Sequence, residues 1–97
     1  MSATLVDSPT TPAPARPRTA APRAWKVLLH NDDVNSFEHV IRSLRGVLRL
    51  QLELAWGAAD EAHREGLATV ARSHREHAEL IQEQLQSCGL TSTIEPD

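Results

Sequence analysis

The sequence predicts an α+β fold: a small three-stranded antiparallel sheet covered on one face by three helices, in the order βααβαβ, behind a disordered N-terminal tail. Three observations carry this. Large apolar and β-branched residues alternate at Trp25–His30. Apolar residues then recur at helical spacing in three later stretches. Short alternating segments begin after Gly66 and Gly89, both good helix stops. Strands separated by helices cannot all be joined by hairpins, and one-sided helices need a sheet face to bury their apolar stripe.

Residues 1–24 hold five of the six prolines, with many Ala, Thr and Ser and few large apolar side chains. Such a segment cannot bury enough surface to offset the entropy of ordering it, so it reads as a flexible extension, with 25–97 as the core domain. In the first strand Trp25, Val27 and Leu29 alternate with Lys26, Leu28 and His30, so at least one face is buried. Asn31-Asp32-Asp33 ends it, since short polar side chains compete for nearby backbone groups.

A helix is expected next, with Asn35 as N-cap and Glu38 at the capping-box distance. Phe37, Val40, Ile41, Leu44, Val47 and Leu48 supply its apolar face, and the break at Arg49–Gln51 connects it tightly to a second helix. There Leu52, Ala55, Trp56, Ala59, Ala62 and His63 form one stripe, and Gly66 is a left-handed C-cap. Leu67–Arg72 reads as a strand. Ser73 with Glu76 repeats the capping-box signature, Ala78, Ile81, Leu85 and Cys88 form the face of a third helix, and Gly89 closes it. Leu90–Ile94 is the last strand, an edge strand ahead of Pro96.

With 97 residues there is room for one domain and a binding cleft, hardly for a large active site. Hydrophobic residues at 40% and charged residues at 24% are ordinary globular usage. Arg16, Arg18 and Arg23 against Asp7 give the tail +2, which leaves −5 of the total −3 on the remainder. A net acidic core is a poor nucleic-acid binder, because neutralising phosphates takes clustered Lys and Arg. The single cysteine, Cys88, forms no internal disulfide and suits a reducing compartment, so the cytoplasm is the expected location. No run of roughly 18 apolar residues exists to cross a bilayer, and the N-terminal MSATLVD lacks the features of a signal peptide.

Two places could carry chemistry. Asn31, Asp32 and Asp33 stand where a sheet positions side chains and a loop exposes them, although such residues also simply turn chains and cap helices. His63 continues an apolar stripe, so its imidazole is expected in a cleft or against a backbone carbonyl in the interior. Asp32 with His63 suggests a catalytic dyad, but no serine or cysteine nucleophile is evident beside them, and the chain reads as a non-enzyme. His74 and His77 could pair on zinc, yet two ligands are too few, so no metal and no other cofactor is expected.

The stretch Lys26-Val27-Leu28-Leu29-His30-Asn31-Asp32-Asp33, followed by Phe37-Glu38 and Val40-Ile41, resembles the opening of the ClpS adaptors. Glu53-Leu54-Ala55, Ala62-His63-Arg64-Glu65-Gly66 and Leu90–Glu95 continue the likeness, which spans Trp25 to Glu95. The resemblance implies an adaptor that binds N-degron substrates, through the free α-amino group and a bulky first side chain, and delivers them to a Clp AAA+ ATPase-protease. It implies that Asn31, Asp32 and His63 receive the α-amino group. It also implies a hydrophobic pocket for Leu, Phe, Tyr or Trp, lined by Asn35, Phe37, Val40, Ala59, Ala62 and Leu90. Asn35 stands where Thr is usual, Phe37 and Ala59 where Met is usual, and Ala62 where Val is usual, so the cavity is reshaped. The implied partner is the N-terminal domain of a ClpA- or ClpC-type ATPase. Glu76 matches an acidic docking position, Ile81 replaces a usual lysine, and the tail assists delivery. The alternative is a ClpS-like domain that docks on the ATPase and regulates it without reading amino termini.

Overall fold

Val27 and Leu29 are almost fully excluded from solvent, and the strand that carries them is the centre of the sheet. The computed structural model describes residues 24–97. The N-terminal extension expected at 1–24 therefore lies, apart from Ala24, outside the described residues. The elements are β1 (Trp25–His30), α1 (Phe37–Leu48), α2 (Leu52–Glu65), β2 (Leu67–Ser73), α3 (Arg75–Ser87) and β3 (Thr91–Pro96), in the expected order. The sheet runs β2-β1-β3 with both pairings antiparallel, so the central strand is the first in sequence.

Trp25 pairs with Ser73 and His30 with Leu67, and a bulge opposite Val27 and Leu28 leaves Val70 as the extra residue. On the other side Trp25 faces Pro96 and His30 faces Thr91. The core forms between one sheet face and the helices, around Val27, Leu29, Leu44, Ala55, Ala62, Ala68, Ala78, Ile81, Leu85 and Leu90. Ser92 is buried with its hydroxyl and its carbonyl both hydrogen bonded. Its hydroxyl donates to the Leu28 carbonyl at 2.9 Å, and its own carbonyl accepts from the Gln82 and Gln86 side-chain amides.

Helix boundaries differ from the sequence expectation in two places, each for a local reason. The N-cap of α1 is Ser36, whose hydroxyl accepts from the His39 backbone N–H at 3.1 Å, and not Asn35. Asn35 is held back in the loop because its own N–H donates to Asp32. The N-cap of α3 is His74, whose Nδ1 accepts from the His77 N–H, and not Ser73, which ends β2 and bonds the His77 ring. The last strand starts at Thr91 because Leu90 belongs to the turn that ends α3. It runs on to Pro96, whose missing N–H is tolerated at the end of an edge strand.

The expected stripe on α2 also divides. Ala55, Ala59 and Ala62 are buried and let the helix approach its neighbours closely, while Leu52, Trp56 and His63 lie exposed along one flank. Trp56 is therefore no core residue; it meets Phe37 edge-on at the surface.

Left-handed residues follow all three helices, at Arg49, Gly66 and Gly89. Gly66 has φ 94°, and an added Cβ there would meet no atom within 4 Å, so only backbone strain opposes a side chain. Arg49 adopts φ 58° after α1 without the benefit of being glycine. The expected outcome is that Gly66→Ala lowers stability by about 1 kcal/mol, whereas Arg49→Gly raises it by about 0.5 kcal/mol, since relief of strain exceeds the added freedom of the unfolded chain. Urea denaturation of both variants checks this.

Candidate functional site

The loop after β1 and the end of α2 meet through one backbone bond. The Asn31 N–H donates to the Gly66 carbonyl at 3.0 Å, immediately after the C-cap turn in which the Gly66 N–H donates to Ala62. This brings His63, one turn earlier on α2, to the side of the Asn31-Asp32-Asp33 loop.

Asp32 organises that loop. Its Oδ1 accepts from the backbone N–H groups of Val34 at 3.0 Å and Asn35 at 2.8 Å, and its Oδ2 accepts from the Asn35 side-chain amide at 3.0 Å. The backbone bond from Asn35 is the main reason its pKa is lowered. The Asn35 side chain, the Val34 N–H and the nearby His39 ring add to the shift, against a partial loss of hydration. The turning and capping role open to this residue in the sequence is thus realised, and the carboxylate still has unused acceptor capacity on Oδ2.

A third segment joins from the far end of the chain. The Asn35 amide also donates to the Gly89 carbonyl at 2.8 Å, and His39 Nε2 donates to the Cys88 carbonyl at 2.7 Å. The α3 terminus is a Schellman turn, with Leu90 N–H bonded to Leu85 and Gly89 N–H to Gln86. That turn sends Leu90 into the space between loop and helices.

The three segments enclose a cavity of about 390 Å³, inside the roughly 300–1,000 Å³ range of small-ligand sites. Asn31, Asp32, His63, Asn35, Phe37, Val40, Ala59, Ala62 and Leu90 all line it, so every expected residue of the two subsites faces one space. Leu29, His30 and Asp33 complete the wall. Leu29, Ala59, Ala62 and Leu90 form a buried apolar floor, and the rim carries two carboxylates and, among the described residues, no Lys or Arg. A cation with an apolar appendage matches both halves.

A family model described as "ATP-dependent Clp protease adaptor protein ClpS" matches residues 20–93. The chain belongs to the ClpS family. It is 48% identical over 86 residues to the Clp protease adapter ClpS of a Synechococcus species, covering 88% of this chain and 82% of that one. With the ClpS of Synechococcus elongatus the identity is 46% over 81 residues, covering 82% and 84%. Among solved structures, Agrobacterium tumefaciens ClpS2 bound to L-phenylalaninamide superposes with a TM-score of 0.70 at 30% identity, covering 79% of this chain and all of that one.

His63 is exposed, and among the described residues no protein group hydrogen bonds to its ring, so both nitrogens are available at the cavity edge. Among the described residues, no serine, threonine or cysteine lines the cavity beside Asp32 and His63. His74 and His77 serve the α3 N-terminus, and no cluster of three metal-ligating side chains occurs among the described residues. Glu76 is exposed in the first turn of α3, whereas Ile81 is a core residue and contributes nothing to a surface there.

Because the folded pKa of Asp32 is depressed, the stabilisation from its ionised form is complete above the ordinary Asp value of about 3.9 and is lost as pH falls through the lower folded value. Asp32→Asn keeps the shape but not the charge. The wild type is expected to be more stable than this variant at pH 6, with the gap closing below about pH 4. Urea midpoints measured from pH 6 to pH 2.5 check this; no gap, or a gap independent of pH, would show that the Asp32 charge does not stabilise the loop.

Proposed function

We propose that this chain is an adaptor that reads the first residue of N-degron proteins and hands them to a Clp AAA+ ATPase. The observation that carries the proposal is the joining, in one cavity, of an acidic rim and a floor of buried apolar side chains. A chain's first residue has this dual character. Its α-amino group, with a pKa of about 7.7–8.0, is largely an ammonium with three donors at neutral pH. Its side chain is free to enter a pocket without the preceding peptide.

In this reading the Asp32 carboxylate, the Asn31 side-chain oxygen and a His63 ring nitrogen accept the three ammonium protons. The loop hydrogen bonds around Asp32 favour its charged form, which keeps the needed negative charge. The apolar floor then takes the side chain. The Agrobacterium relative was solved with phenylalaninamide, a ligand that has a free amino group, a benzyl side chain and an amide where a chain would continue. Docking on the N-terminal domain of a ClpA- or ClpC-type ATPase would use the exposed start of α3 around Glu76, and the N-terminal residues would assist delivery. The cytoplasm is the proposed compartment.

Blocking the amino group removes the charge and two donors, leaving acceptors unpaired at roughly 1–3 kcal/mol apiece. Fluorescence anisotropy with short peptides beginning in Phe, Leu, Tyr, Trp, Ile or Met tests the reading. Micromolar or tighter binding of the bulky set is expected, lost on acetylation and weakened at least about tenfold by Asp32→Ala or His63→Ala. Binding to the ATPase without any peptide binding would instead indicate a docking-only regulator.

A further inference from the structure

We infer that Trp56, acting through Phe37, biases the cavity toward aromatic first residues over leucine; this rests on the adaptor reading above. Phe37 is the first residue of α1 and lines the cavity, yet it is 36% exposed, while the rest of the apolar lining is largely buried. Leu29, Ala59, Ala62 and Leu90 are fixed by packing, so Phe37 is the wall whose position is least determined by the core.

Trp56 supplies that determination. Its ring stands 5.6 Å from the Phe37 ring at an interplanar angle of 72°, the edge-to-face arrangement that aromatic quadrupoles favour. Trp56 is itself 51% exposed and does not line the cavity, so it touches no ligand there and contributes little to the core. Its contact restrains the Phe37 ring. A Phe37 ring so held presents an ordered aromatic surface to the cavity, and an aromatic guest gains an attraction there beyond simple burial. A leucine guest of similar hydrophobicity gains burial only. Aromatic pairs of this kind correspond to a factor of roughly 2 to 10 in affinity.

Trp56 is accordingly a positioning residue, and the quantity it sets is a ratio. The test measures dissociation constants of free-amino peptides that differ only in a first Phe or Leu, for the full chain, Trp56→Leu and Trp56→Phe. Leucine is a strong helix former and keeps an apolar side chain at this exposed site, so Trp56→Leu retains the fold, checked by its thermal midpoint. The expected result is a Phe-over-Leu preference that falls by about threefold or more in Trp56→Leu and is restored in Trp56→Phe. An unchanged ratio in Trp56→Leu overturns the inference, as does an equal loss for both peptides, which would make Trp56 a general support of the fold. If neither peptide binds the wild-type chain, the adaptor reading fails with it; binding with an unaltered ratio sinks only the role of Trp56.

Discussion

The backbone bond from Asn31 to Gly66 is the constraint on which the rest of the site depends. It closes the polar end of β1 onto the left-handed cap of α2, so a loop and a helix far apart in sequence share a rim. Gly66 suits this position because φ near 94° strains any other residue, and its carbonyl is left free by the end of the helix. Once the bond is made, His63 and the Asn31–Asp33 loop border the same cavity. The bulge at Val70 adjusts the sheet, and the edge pairing of β3 also holds the lining residue His30, whose ring is hydrogen bonded to Thr93.

A second set of ties makes the cavity a preformed shape. Asn35 donates both to Asp32 and to the Gly89 carbonyl, and His39 reaches the Cys88 carbonyl from the next turn of α1. These bonds connect the loop to the end of α3, and the Schellman turn there directs Leu90 inward. Recognition by such a site is a matter of complementarity in the ground state. Charged acceptors already oriented by the loop cost little further ordering when a donor arrives. The family to which the chain belongs is one of Clp protease adaptors.

The elements were legible in the sequence because their periodicities are strong. Val27 and Leu29 alternate, Leu44 and Leu48 repeat at helical spacing, and Gly66 and Gly89 fall where helices must stop. Caps were harder to read. Asn35 and Ser36 are both good cap residues side by side, and only the bond from the Asn35 N–H to Asp32 decides between them. A histidine cap such as His74 has no sequence signature. Trp56 shared the helical spacing of the buried alanines, yet a large ring on the flank of the stripe comes out at the surface, where Phe37 meets it. The grouping of Asn31, Asp32 and His63 was legible only through resemblance to a family, since composition and spacing left their turning and packing roles open. The ties from Asn35 and His39 to the α3 terminus span 54 and 49 residues and follow from the tertiary fold alone.

In the proposed function one cavity takes both the amino group and the first side chain of a substrate. The most direct test is an amide-resolved NMR titration of the chain with a short peptide beginning in Phe, alongside its acetylated twin. Shifts confined to Asn31–Phe37, Ala59–Gly66 and the Gly89–Leu90 turn are expected for the free peptide, and none for the acetylated one. Equal shifts from both peptides, or shifts centred elsewhere on the surface, would contradict it.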